Sequence, residues 1–229
     1  MSFRERYAHC LSTLGEVRPV GLEEKELTAA EERLGVHLPA ALKDFYLVTG
    51  AWDLNFAHNR LLEPNELRWV KDKLVFYEEN EKLAQWGISR TELRRNDPVV
   101  SQGVRERGRM QWFDEELSCS NFLVLMTYWQ TLVGGLGFAS VATIDGKWDR
   151  VKPGWARQGN NGPMVIYAKP KCVLGVLYDE EDKVTSLHSA AVDLAQLTAI
   201  SDEYADLPWE VILGDETEEP EGGGSKTTA

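Results

Sequence analysis

The chain has 229 residues, with 37 Asp and Glu against 25 Lys and Arg and a net charge of −12. Hydrophobic residues make up 43% and charged residues 27%, which excludes a wholly disordered chain and supplies enough apolar surface for a full core. The acidic balance argues against a nucleic-acid binder that relies on neutralising phosphates, and it permits a basic protein partner without pointing to one.

Three cysteines, Cys10, Cys119 and Cys172, stand at wide spacings. They form no CxxC pair and no disulfide ladder, so reduced thiols packing as small apolar residues are expected. The opening residues, Met1 to Arg6, are charged and lack the apolar run of a secretory signal, which points to a cytoplasmic protein.

Phe3, Tyr7, Leu11 and Leu14 recur at helical spacing and predict a first helix that stops at Gly15. Thr28, with Glu31 three residues on, predicts the start of a second helix, and Gly35 its end. Pro39 suits the first turn of a third, with Leu42, Phe45 and Tyr46 on its apolar face and Gly50 closing it. The period then changes. Leu74–Tyr77 and Leu83–Ile88 read as a hairpin around the polar turn Glu78–Lys82, and Pro98–Val100 reads as a short edge strand.

Residues 117–144 carry no charged side chain. Interior polar residues and Gly134, Gly135 and Gly137 argue against a membrane span, and a buried helix followed by a turn and a strand is expected. Phe122, Leu125, Met126, Trp129 and Val133 mark the helical stripe. Residues 138–144, 164–168, 172–178 and 183–188 read as strands, with Asp179–Asp182 turning between the last two. A final helix over 193–204 turns Leu194, Leu197 and Ile200 inward. A single domain over 1–213 is therefore expected, followed at 214–229 by an acidic, Gly/Ser-containing tail of disordered composition.

Catalytic signals are absent. The four histidines sit in separate segments, and GxSxG, Walker A and HExxH motifs are missing. Gly135–Ser140 resembles a dinucleotide loop but follows a helix and precedes a strand, the wrong order for that chemistry. No catalytic residue, metal ligand or cofactor is assigned. The arginines between Arg90 and Arg109 form the one basic cluster, and the interspersed Glu92, Asp97 and Glu106 suggest an internally paired loop. Eight tryptophans are many for this length. Trp52, Trp148 and Trp155 lie in loop-like stretches, where they serve either as binding anchors or as plugs at the ends of a sheet.

The run Glu31-Glu32-Arg33-Leu34-Gly35-Val36-His37-Leu38-Pro39, continuing through Phe45-Tyr46 to Gly50, resembles the SUKH superfamily of Smi/Knr-like domains. Further matches follow in family order: Leu61–Leu67, Glu79-Asn80 with Trp86-Gly87-Ile88, Asp97-Pro98-Val99, Ser120–Leu123 and Trp209-Glu210. Glu81 stands where the family has glutamine, and one proline is missing beside Pro98. The motif positions Leu34, Gly35, Leu38, Pro39, Phe45, Gly50 and Trp86 have structural roles already and mark no catalytic site.

The resemblance implies an α+β fold with a twisted, largely antiparallel sheet packed by helices. It also implies a non-enzymatic immunity protein that binds a toxin, often a nuclease; a regulatory interaction hub is the alternative. An acidic inhibitor steers onto a basic toxin electrostatically. The candidate contacts are the acidic turns, Glu78, Glu79, Glu81 and Asp179, Glu180, Glu181, Asp182, with Trp52 or Trp155 as an exposed anchor. Direct contact with nucleic acid or membrane is not expected.

Overall fold

The computed structural model describes residues 1–15, 20–144, 148 and 151–214. The expected tail lies outside them, apart from Gly214.

Three helices come first: α1 (Phe3–Thr13), α2 (Glu24–Leu34) and α3 (Ala40–Thr49). A capping box closes the start of α1, where Ser2 accepts from the Glu5 N–H and the Glu5 carboxylate accepts from the Ser2 N–H. Helix α2 starts four residues before the expected Thr28, because the Glu26 carboxylate caps the Glu23 N–H and acidic residues favour the positive end of a helix. Thr28 is interior, its hydroxyl donating to the Glu24 carbonyl. Gly35 ends the helix in the left-handed region at φ 67°. Pro39 sits at the start of α3, where its missing N–H costs nothing.

A first sheet follows, built from β1 (Arg60–Leu61), β2 (Arg68–Val70), β3 (Lys73–Glu78), β4 (Ala84–Ser89), β5 (Val99–Glu106) and β6 (Arg109–Ser118). Strands β3 to β6 pair in sequence order, and β1 and β2 both pair with β3, all antiparallel. The expected short edge strand at Pro98 is thus the start of an eight-residue inner strand. Pro98 precedes it, so no ladder donor is lost. The basic stretch does not form one internally paired loop either. Arg105, Arg107 and Arg109 are exposed at the tip of the β5–β6 hairpin, while Arg90 stacks 3.8 Å from the centroid of Trp69.

Helix α4 (Cys119–Gln130) comes next and is buried on nearly every side. A helix apolar all round must sit inside. A π-turn (Thr131–Gly135) leads into the second sheet. Its strands are β7 (Phe138–Thr143), β8 (Ala156–Asn161), β9 (Met164–Lys169), β10 (Cys172–Tyr178), β11 (Val184–Ala191) and β12 (Trp209–Leu213), in the order β12-β7-β11-β10-β9-β8. Helix α5 (Leu194–Glu203) precedes β12 and is capped by Asp193, which accepts from the Gln196 N–H.

The class is α+β, with two antiparallel sheets in place of the one expected. Helix α4 joins them. Phe122 meets Phe76, Tyr77 and Trp86 of the first sheet edge-on or tilted, and Leu125 lies against Gly159 of the second. Strand β10 alternates between two environments: Val173 faces this main core, while Cys172, Leu174 and Val176 face Leu197, Ile200 and Tyr204 under α5. Leu194 points outward, 56% exposed, contrary to expectation. The three cysteines are free and buried, and burial pushes the Cys10 thiol up to about 12. Among the described residues, no helix is long and apolar enough to cross a membrane.

Candidate functional site: two acidic hairpin turns

The two acidic turns share one backbone design. In the β3–β4 turn, the Glu79 carboxylate accepts from the N–H groups of Glu81 and Leu83, and the Lys82 N–H returns to the Glu79 carbonyl. In the β10–β11 turn, the Asp179 carboxylate accepts from the N–H groups of Glu181 and Lys183, and the Asp182 N–H returns to the Asp179 carbonyl. Both chains then pass through the left-handed region, Lys82 at φ 61° and Asp182 at φ 59°. This is a turn followed by one left-handed residue, the usual solution for a longer hairpin loop. The capping hydrogen bonds also explain why the Asp179 carboxyl is held below its usual range.

The residue before each turn separates them. Glu78 ends β3 and is buried at 7% exposure, so it is not the exposed contact expected from the sequence. Arg60 on β1 reaches it at 3.0 Å, Arg68 on β2 reaches its other oxygen, and Arg60 also holds Glu66 at 2.7 Å. The pairing of β1 and β2 along one side of β3 brings both arginines to this carboxylate. Burial pushes the Glu78 carboxyl up, but the two guanidinium hydrogen bonds outweigh it and hold the group below its usual range. Glu78 is thus a structural ion pair. Nearby, Arg105 donates its N–H to the Leu83 carbonyl, so the β3–β4 turn lies beside the arginines of the β5–β6 tip.

Tyr178 holds the corresponding place before the second turn and is half-buried. It lines a groove of about 620 Å³ with Val165, Pro163 and Asn160, rimmed by Asp179, Glu180 and Asp182. Lys183 pairs with Glu181. Glu180 and Asp182 are exposed and in no ion pair among the described residues. This turn therefore presents two unpaired carboxylates next to apolar surface, with Arg157, which donates to Asn160, also near the groove.

The tryptophans do not supply the exposed anchor. Trp52 is half-buried against the main core at the start of a 3₁₀ turn (Asp53–Phe56). Trp155 packs on the α5 side, donates its Nε1–H to Glu203 at 3.0 Å, and lies 4.3 Å beneath the Lys169 ammonium. Trp148 tilts against Tyr204. Each is packed against the body of the fold, Trp52 on the main core and Trp148 and Trp155 on the cluster under α5. The family-motif positions are likewise structural: Leu38, Phe45 and Trp86 are buried and Leu34 packs against the same core. Gly50 closes α3, its N–H donating to the Tyr46 carbonyl.

One surface escaped the sequence reading. Leu22, Ala30, Phe56 and Pro64 line a groove of about 600 Å³ between α2 and the segment after β1, with Glu26, Glu63 and Arg33 at its rim. Its parts come from four separate stretches, and nothing in their spacing joins them. Among the described residues, no group of three His, Cys, Asp or Glu is placed to hold a metal ion.

No family model matches the chain, and neither a curated protein nor a solved structure matches it. The site's meaning therefore rests on its own geometry.

Proposed function

We propose that the chain is a binding protein of the Smi/Knr-like immunity type, which neutralises a basic toxin domain by one-to-one contact. The observation that carries this reading is the β10–β11 turn, where Glu180 and Asp182 stand exposed and unpaired beside the groove of Pro163, Val165 and Tyr178. Carboxylates of this kind steer a cationic partner, and adjacent apolar surface holds it once docked. The β3–β4 turn contributes less, because Glu79 is occupied by its own turn and arginines lie next to it. No covalent chemistry enters the proposal.

Its test is capture with the tagged chain from the cells that make it, at low and then moderate salt, beside a Glu180→Lys/Asp182→Lys variant. The expected result is a single small basic domain of a larger secreted protein, bound one to one and lost by the variant. Its toxicity in a sensitive host should be suppressed by the wild-type chain. Capture of ordinary cellular proteins only, equally by both forms, would contradict the proposal.

A further inference from the structure

The start of α3 and the loop from β4 to β5 enclose a groove of about 530 Å³. Val36, Leu38 and Leu93 supply its apolar lining, and Arg90, Arg94 and Arg95 its charge, with His37 beside them. The two sides are tied together, because the Ala41 N–H donates to the Asn96 carbonyl at 2.9 Å. Leu38 and Leu93 are buried, so the groove has an apolar floor that is part of the fold. No carboxylate lines it. That is out of keeping with a chain of net charge −12. It also sets this groove apart from the two described above, which carry Glu26 and Glu63 or Asp179, Glu180 and Asp182.

The arginines differ in what holds them. Arg95 is paired with Glu92 at 2.9 Å. Arg90 lies 3.8 Å over the Trp69 ring, and its backbone N–H donates to the Asp72 carbonyl at 2.8 Å. A guanidinium stacked by its face keeps its N–H edge for acceptors in its own plane. Arg94 is exposed. Among the described residues, neither the Arg90 nor the Arg94 side chain has an ion pair or a hydrogen bond. The groove thus holds two positive charges that no carboxylate of the described residues neutralises. Helix α3 begins in the same wall, at Ala40, and adds the positive end of its dipole.

We propose that this groove binds a small phosphate monoester with an apolar or aromatic body. Such an ester carries about two negative charges at neutral pH, which matches Arg90 and Arg94. Arginine forks recognise its oxygens through paired hydrogen bonds. The apolar floor favours an ester over bare phosphate. The volume is that of a small-molecule site. A nucleic-acid strand is opposed by the acidity of the rest of the chain, which its further phosphates would meet. The proposal goes beyond the toxin reading and uses none of the residues of the acidic turns.

The test is isothermal titration calorimetry of the full chain at low salt with phenyl phosphate, beside inorganic phosphate and benzoate. Phenyl phosphate should bind saturably, one to one, and raise the melting temperature. Inorganic phosphate lacks the ring and benzoate carries a single charge, so each should bind at least about threefold more weakly. Arg94→Gln should weaken phenyl phosphate binding about tenfold, because a charge-assisted hydrogen bond is lost. Its side chain is exposed and unpartnered among the described residues, so the melting temperature of the free protein should hold. Arg90→Gln should act in the same way. Should it lower the melting temperature by losing the Trp69 stack, Arg90→Lys keeps the charge and should bind at an intermediate strength. Arg107→Gln, at the tip of the β5–β6 hairpin and outside the groove, should bind like the wild type. No saturable binding, equal binding of benzoate, or an equal loss from Arg107→Gln would overturn the proposal. Tighter binding of a polyglutamate peptide than of phenyl phosphate would overturn it in favour of an acidic protein segment.

Discussion

The turns at 79–83 and 179–183 are built alike and put to different uses. Each begins with a carboxylate that caps two backbone N–H groups, and each passes through one left-handed residue. One is preceded by a glutamate locked between two arginines and stands next to a basic hairpin tip. The other is preceded by a tyrosine in a groove wall and leaves two carboxylates free among the described residues. An acidic run is therefore not one signal. Its meaning depends on whether neighbouring strands bring counter-charges to it.

The largest separation should come from Glu78. Replacing it by alanine leaves Arg60 and Arg68 facing each other without their shared carboxylate, and a loss of about 3 kcal/mol in urea unfolding is expected. The arginines are partly solvated, which keeps the loss at the low end for a broken buried pair.

Acid should expose the same ion pairs. Burial pushes the carboxyls of Glu78 and Glu66 up, but their arginine hydrogen bonds outweigh it, so both folded values lie below the ordinary 4.5. The unfolded chain then binds the extra protons, and the stabilisation is present above pH 4.5 and lost as pH falls through the folded values. Glu78→Gln should be less stable at neutral pH yet lose less on acidification, as a thermal-melt series against pH would show. Parallel curves for the two proteins would assign the acid sensitivity elsewhere.

The shared turn design predicts matched effects of smaller size. Asp179→Ala and Glu79→Ala each remove an acceptor for two backbone N–H groups and should each lower the urea midpoint by a small and similar amount, well below that of Glu78→Ala. A cost confined to one turn would break the equivalence. The smallest effects should be gains: Lys82→Gly and Asp182→Gly relieve left-handed strain and should raise stability by about 0.5 kcal/mol each.

Much of this fold is legible in the sequence, and the gaps have physical causes. Gly35, Pro39 and the uncharged stretch leading into α4 punctuate the chain where the structure does. The two apolar hairpins are visible because strands buried on both faces read as continuous apolar runs. Strands β6, β8 and β12 escape because edge strands mix charge, glycine and apolar residues without a clean period. The role of Glu78 escapes for a different reason. Its partners Arg60 and Arg68 lie 18 and 10 residues earlier and reach it only through strand pairing. The tryptophans are conspicuous as residues, but the burial of Trp148 and Trp155 depends on the cluster under α5, which no local pattern announces.

The most direct test is urea unfolding of two charge reversals measured side by side, Glu78→Lys and Glu180→Lys. The ion-pair geometry predicts a loss of at least about 3 kcal/mol for the first and a change within about 0.5 kcal/mol for the second. Equal losses, or a larger loss at Glu180, would contradict the assignment of one acidic turn to the fold and the other to the surface.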